Sequence, residues 1–372
     1  MPYYNDLRPD SDLKKKGFAL VFPEMRDAEK IRAIDNILAL KNGLDNLIPP
    51  RRTDQTILIA SWNIKEFGHT TQRLPEAYFY IAEIISRFDL VVIQEVKSTL
   101  RDLHILMRLL GSEWEYVVND ITSGDDGNSE RSAYVFNSAR VRLSGTVGEL
   151  VLWPAITEGA AIKQLKRTPY LTGFKAGWKE FGLLCLHLQP GSKKADVDYR
   201  REEVSLLLAA LREKMKEHWT SSLVIAGDFN FYRGDDKDDG AVGLFTEAGY
   251  YEVDSLIGLD TNASKSEAYD RMFIRQNEYF RVVKRPDGRM NGGVFDPFQF
   301  VYRDEQTQAY ADEMVEDYTG EKDMTDPANQ APYYKHPWRK NQLSDHFPIW
   351  FELEIDSSVD FLENKREAFV EE

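Results

Sequence analysis

The sequence predicts an α/β fold in which two packed, mixed β-sheets are flanked by helices. Three observations carry the prediction. Short apolar runs recur, among them Ile57-Leu58-Ile59-Ala60, Leu90-Val91-Val92-Ile93, Leu183-Leu184-Cys185-Leu186 and Leu223-Val224-Ile225-Ala226. Runs of this length bounded by polar residues read as buried strands. Amphipathic segments at helical spacing lie between several of them. The runs also end in residues with chemistry to offer: Asn63, Glu95, His187 and Asp228-Phe229-Asn230, with Ser344-Asp345-His346 just before a further apolar run. Strand ends are where a rigid scaffold presents functional groups.

Taken in order, residues 1–16 are polar and mixed, and are expected to be loosely ordered within an N-terminal extension over 1–55. From Met25 to Ile48, the residues Ile31, Ile34, Leu38, Leu44 and Ile48 recur at roughly helical spacing, and Pro49-Pro50 stops the helix. This helix either packs on the main domain or serves a homodimer or another partner. The main domain is expected over 56–356. It opens with a strand over 57–63, a helix near 74–87, a strand over 89–95 and a helix near 100–110. Strands near 114–119 and 131–137 lead into a β-rich stretch over 141–188. In the long helix over 197–217, Val204, Leu207, Leu208 and Leu211 share one face. Further strands are expected near 222–228, 268–274, 279–284 and 348–354. Residues 285–342 are too long for a simple connection and read as a partly folded, aromatic-rich insertion whose end approaches the site. The acidic run Asp235-Asp236-Lys237-Asp238-Asp239 reads as a solvated loop, and 357–372 as a charged tail that frays.

Composition bounds the function. The net charge of −15 and pI near 5.0 do not suit a protein that coats nucleic acid by bulk charge. A local basic rim around a metal-binding site remains compatible with them. The single cysteine, Cys185, precludes a disulfide within the chain and points to a reducing, cytoplasmic setting. Met1-Pro2-Tyr3-Tyr4 does not open a basic-then-apolar signal pattern, and no apolar run reaches membrane-spanning length, so no membrane partner is expected.

Hard oxygen ligands with imidazoles nearby suit Mg²⁺ or Mn²⁺ and in-line attack on phosphorus. Glu95, at the end of its strand, is the expected metal ligand, with Asn63 beside it and Asp345 as a second carboxylate on the metal side. Asp228 and Asn230 are two apart after a strand, so in extended chain they face the same way. The Asp suits metal binding or orientation of the attacking water, and the Asn suits a phosphate oxygen. His346 can reach a phosphate oxygen or move a proton. Alone, His187 would read as a core histidine. His69, His104 and His218 carry weaker signals, and His336 is a candidate for the substrate groove.

In this order the five segments resemble the endonuclease/exonuclease/phosphatase superfamily, and within it the deoxyribonuclease I-like branch, over roughly residues 55–355. The resemblance implies a four-layered α/β sandwich. It implies that Asp270, in Tyr269-Asp270-Arg271-Met272, pairs with His346. Glu130, in Asn128-Ser129-Glu130-Arg131, is implied to support His187, and Arg167, before Thr168-Pro169-Tyr170, to contact phosphate. The implied activity is a Mg²⁺- or Mn²⁺-dependent phosphodiesterase, foremost an endonuclease hydrolysing DNA to 5′-phosphate and 3′-hydroxyl ends by in-line attack of water. The alternative on the same core is a phosphomonoesterase, or a phosphodiesterase for lipid headgroups or inositol phosphates. His187 speaks against the abasic-site branch, and the Tyr269-Asp270-Arg271 segment against the inositol phosphatase branch. Contact with nucleic acid is expected through phosphates, with Arg167, Arg339 and Lys340 on the rim.

Overall fold

The computed structural model describes residues 1–68, 73–120, 130–216, 222–232 and 239–371. A 3₁₀ turn (Asn5–Leu7) and the short helix α1 (Asp10–Leu13) precede the long α2 (Asp27–Leu47). The chain then runs β1 (Thr56–Phe67), α3 (Pro75–Arg87), β2 (Leu90–Lys97), α4 (Arg101–Leu110), β3 (Trp114–Val118) and β4 (Glu130–Asn137). Next come β5 (Arg142–Glu149), β6 (Tyr170–Ala176), β7 (Lys179–His187), α5 (Lys194–Lys216), β8 (Leu223–Asp228), α6 (Asp239–Glu247), β9 (Tyr251–Glu252) and β10 (Asp270–Arg275). The last part holds β11 (Gly292–Val294), α7 (Ala311–Asp317), α8 (Pro327–Tyr333), α9 (Arg339–Gln342), β12 (Ile349–Glu354) and α10 (Ser358–Glu371).

Among the described residues the strands form two six-stranded sheets, ordered β11-β12-β1-β2-β4-β3 and β5-β6-β7-β8-β10-β9. Alternation explains the layering. Along β1, Ile57 and Ile59 enter the core between the sheets, whereas Leu58, Ala60, Trp62 and Ile64 enter the core beneath α2, α3 and α4. Along β8, Val224 and Ala226 face the other sheet, whereas Leu223 and Ile225 meet Val204, Leu207 and Leu211 of α5. Strands buried on both faces read as continuous apolar runs, which is why these were visible in the sequence.

The topology also fixes where chemistry can gather. β1 and β2 are parallel, as are β7 and β8, and each pair is flanked by antiparallel strands. The carboxyl ends of the four central strands therefore meet the amino ends of β4, β12, β6 and β10 at one edge of the sandwich. All the strand-end residues singled out above lie there.

Several expectations are corrected. The start of the chain is anchored through Leu7: Asp6 is buried, its Oδ1 accepts from the backbone N–H of Val21 and Phe22 at 2.6 and 2.5 Å, and Leu7 joins the core, whereas α1 buries no residue. Helix α2 exists, but its buried face is Ala33, Ile37, Leu40 and Leu44, while Ile31, Ile34 and Leu38 are exposed. The helix carries two apolar stripes, and the polar Asn36 decides between them. It donates to the Tyr80 and Tyr310 hydroxyls and accepts from Gln306. The segment near 279–284 makes isolated bridges such as Val282 to Leu353, because β11 already occupies β12 from Ile349 to Phe351. The tail forms α10, whose Phe361 packs against Trp178 and Tyr279 and whose Asp360 pairs with Arg281. The insertion is folded throughout its core: Tyr302, Tyr310, Tyr334 and Trp338 are fully buried and form one aromatic cluster beneath α2, in which Tyr302 meets Tyr80 edge-on. Of the acidic run, residues 235–238 lie outside the described residues, and Asp239 opens α6.

Candidate active site

Both central strands of the first sheet are bulged where they reach this edge. β2 slips register against β4 between Ile93 and Val96, and Glu95 sits in the gap at φ +60°. β1 slips against β2 between Asn63 and Phe67, with Glu66 at φ +45°. A bulge re-aims a side chain that simple alternation would send elsewhere. Here it turns the Glu95 carboxylate towards Asn63, whose Nδ2 donates to Glu95 Oε1 at 3.0 Å, and the Glu66 N–H donates to Glu95 Oε2 at 2.9 Å. In the second sheet Gly227 has φ +146°, and a Cβ there would lie 1.9 Å from Leu186 O. Only glycine lets β8 approach β7 so closely just before Asp228.

Asp228 is the centre of the arrangement. It is buried, and its Oδ2 accepts from Asn63 Nδ2 at 3.1 Å across the two sheets. His187 Nε2 lies 3.6 Å and His346 Nε2 3.8 Å from the same oxygen. Burial would raise the Asp228 pKa, but the charges of His346 and then His187, with the Asn230 N–H and Asn63, hold it below its ordinary value. Behind His346, Asp270 Oδ2 lies 2.8 Å from Nδ1. Burial alone would discharge this imidazole; Asp270 and then Asp228 push its pKa well above the usual range. Behind His187, Glu130 Oε2 lies 3.4 Å from Nδ1 and also accepts from Arg167 Nε at 2.9 Å. Burial would raise the Glu130 pKa, but His187, Arg167 and Lys97 together bring it down to about 2. Each imidazole is thus oriented by a carboxylate at Nδ1 and turns Nε2 towards Asp228.

Asn230 reaches the site by a turn instead of strand alternation. Its φ is +50°, its N–H donates to Asp228 Oδ1 at 2.9 Å, and its Nδ2 donates to Leu188 O at 3.1 Å. Asp345 lies at the rim, its side chain 39% exposed and 3.9 Å from Lys65 Nζ. Glu95, Glu130, Arg167, His187, Asp228, Asn230, Asp345 and His346 line one cleft of about 660 Å³, joined by Lys65 and Lys97. Asn63 and Asp270 sit buried just behind it.

The donor chemistry fits a hard divalent cation. Among the described residues, no three His, Cys, Asp or Glu side chains form a closed ligand set. Mg²⁺ does not need one, since it keeps waters and uses one or two carboxylates plus substrate oxygens. Glu95 is half-buried at the cleft, and Asn63 Oδ1 is a buried oxygen with no hydrogen-bond partner among the described residues. Such an oxygen is what a cation would satisfy.

The structure therefore brings together the ten residues expected from the sequence. It does not bring His336, which is exposed and outside the cleft, or Arg339, which stacks on Phe298 and pairs with Asp304. Lys340 donates to Ser264 and feels Asp345 and Lys65, so it stands near the rim. His104 meets Tyr116 on the surface, and His69 and His218 lie outside the described residues. Sequence reasoning missed Lys65 and Lys97, although each is two residues beyond an assigned one. It also gave Ser344 no role. Its Oγ donates to Asn63 O at 2.6 Å and accepts from the N–H of Lys65 and His346, both at 3.1 Å.

With this geometry in place, the relatives are informative. The chain is 27% identical over 187 residues to deoxyribonuclease-1 of Bos taurus, covering 47% of this chain and 61% of that protein's length. It is 24% identical over 317 residues to deoxyribonuclease gamma of Rattus norvegicus, covering 80% of this chain and 85% of that one. Among solved structures, the human Nocturnin catalytic domain matches in fold with a TM-score of 0.50 at 13% identity, covering 82% of this chain and 99% of that chain. Residues 60–251, more than half of the chain, match the model of the Endonuclease/Exonuclease/phosphatase family. A sandwich with this edge, carrying that match, belongs to the endonuclease/exonuclease/phosphatase family.

Proposed function

We propose that the chain is a metal-dependent phosphodiesterase and, more finely, a deoxyribonuclease I-like endonuclease that hydrolyses DNA to 5′-phosphate and 3′-hydroxyl ends by in-line attack of water. The observation that carries the reading is Asp228 between two imidazoles, each backed by its own carboxylate, on a cleft that also holds Glu95. Ionised Asp228 orients the attacking water. His346, held protonated by Asp270 and Asp228, suits donation to the leaving oxygen or to a phosphoryl oxygen, and His187 suits acceptance of the water proton. Arg167 offers a fork of donors to a phosphate. Lys65 and Lys97 place two further cationic groups among the carboxylates of the cleft, Lys65 beside Asp345 and Lys97 beside Glu130. Mg²⁺ or Mn²⁺, held by Glu95 with Asn63 and approached by Asp345, would polarise the phosphoryl group and offset its charge. The similarity to deoxyribonuclease-1 and deoxyribonuclease gamma is the reason for reading DNA as the substrate. The lone buried Cys185 suits action in the cytoplasm. No helix among the described residues is long and apolar enough to cross a membrane.

The test is nicking of supercoiled plasmid with Mg²⁺ or Mn²⁺, followed by end-group analysis, beside the Asp228→Ala variant and excess chelator. Nicks bearing 5′-phosphates, lost in the variant and in chelator, are expected. Intact DNA with either metal, together with phosphate release from an inositol phosphate, would overturn the nuclease reading in favour of the alternative.

A further inference from the structure

We propose that Arg73 is a positioning residue that holds the Ser344-Asp345-His346 segment against the bulged end of β1. The proposal rests on the phosphodiesterase reading for its kinetic consequence, but the contacts stand by themselves. The Arg73 side chain is fully buried, and its Nη1 pairs with the equally buried Asp102 of α4 at 2.6 Å. Its remaining donors go to backbone carbonyls. Nε donates to Gln342 O at 3.0 Å, and Nη2 donates to Lys65 O at 3.0 Å and Leu343 O at 3.3 Å. Asp102 is steadied in turn by the Tyr78 hydroxyl at 2.8 Å, and the guanidinium lies over the Phe67 and Tyr78 rings.

The carbonyls it joins explain why a buried charge is placed here. Lys65 lies in the bulge of β1, where ladder pairing with β2 is interrupted. Gln342 ends α9, and the last carbonyls of a helix lack partners within it. Buried carbonyls of both kinds need donors, and a planar fork supplies several in fixed directions. Lys65 is two residues past Asn63, and Leu343 immediately precedes Ser344. Arg73 therefore joins the half of the cleft that carries Asn63 and Glu95 to the half that carries Asp345 and His346. No atom of Arg73 lines the cleft. Ser344 completes the same junction from the cleft side by bonding Asn63 O.

A lysine keeps the charge opposite Asp102 but cannot direct donors at three carbonyls at once. The test compares Arg73→Lys with Leu211→Ala, a variant in the core beneath α5 and far from the junction, chosen as a matched loss of stability. Turnover and KM are measured on a chromogenic aryl phosphodiester, and amide hydrogen exchange is followed at Lys65 and His346, whose N–H groups both donate to Ser344. Arg73→Lys should melt cooperatively, lose about tenfold or more in kcat with KM within about twofold, and exchange both amides about tenfold faster. Leu211→Ala should leave all three near wild type. If Arg73→Lys keeps kcat and both exchange rates within about twofold of the Leu211→Ala values, Arg73 is only a core ion pair and the proposal is wrong. If Arg73→Lys does not fold, Asp102→Asn, which loosens the same guanidinium without deleting it, is judged by the same readouts. If wild type shows no metal-dependent turnover, the phosphodiesterase reading fails, and the exchange rates alone decide whether Arg73 holds the junction.

Discussion

Glu130 offers a measurement in which charge, geometry and function are joined. Its side chain is 6% exposed and touches His187, Arg167 and Lys97, so little solvent screening reduces the interaction. The carboxyl falls from an ordinary 4.5 to about 2. At about 1.36 kcal/mol per pH unit, that depression is worth on the order of 3 kcal/mol of stability. The sign follows from its direction. A carboxyl depressed in the folded state contributes fully above the unfolded value of 4.5 and loses that contribution as pH falls through the folded value of about 2. Glu130→Gln keeps the shape and removes the charge. Urea unfolding of wild type and variant should differ by about 3 kcal/mol at pH 6 and by about 1.5 kcal/mol at pH 3. A gap of constant size between those pH values would show that His187 and Arg167 do not hold this carboxylate ionised. Because Glu130 also orients His187 and Arg167, the variant should lose turnover at pH 7 by about tenfold or more.

Four further outcomes are expected. His187→Ala and His346→Ala should each lower turnover by about 10² or more; near-native turnover in either would return that histidine to the core. Gly227→Ala forces a Cβ to within 1.9 Å of Leu186 O at φ +146°, so soluble expression or a melt should report a loss of about 3 kcal/mol or more. Deleting residues 1–50 uncovers the surface that Ala33, Ile37, Leu40 and Leu44 bury, and light scattering should show aggregation; a well-behaved smaller species would instead mark α2 as an assembly element. Excess chelator should abolish hydrolysis, and Mg²⁺ or Mn²⁺ should restore it in the plasmid assay.

The strands that build the edge were legible because they are buried on both faces, so β1, β2, β7 and β8 appear as uninterrupted apolar runs that stop at a polar residue. The helices α3, α4 and α5 were legible from spacing. The face of α2 was not. Ile31, Ile34 and Leu38 make as good a stripe as Ala33, Ile37 and Leu40, and the choice is made by Asn36 bonding to Tyr80, Tyr310 and Gln306, two of which lie in the insertion. A pattern that is local in sequence cannot report a partner some 270 residues away. The same limit hid the anchoring of the first residues, where one carboxylate, Asp6, gathers two distant backbone amides.

Within the site, residue types were readable and their aim was not. Strand alternation would place Glu95 by simple parity with its neighbours, and Asn230 on the side of Asp228. Both residues instead take left-handed backbone, at φ +60° and +50°, with Glu66 a third case at +45°. Non-glycine residues pay strain for that conformation and keep it only where surrounding bonds over-determine it. Those bonds are present: Glu95 takes the Glu66 N–H and the Asn63 amide, and Asn230 closes its turn onto Asp228 and Leu188. Three of the six left-handed non-glycine residues among the described residues therefore lie where carboxylates converge from two sheets; Leu100, Lys265 and Tyr302 are the others. Rigid strands deliver the groups to one edge, and the bulges turn them towards each other. A sequence pattern records the first step because it is periodic, and misses the second because a bulge is a break in the period.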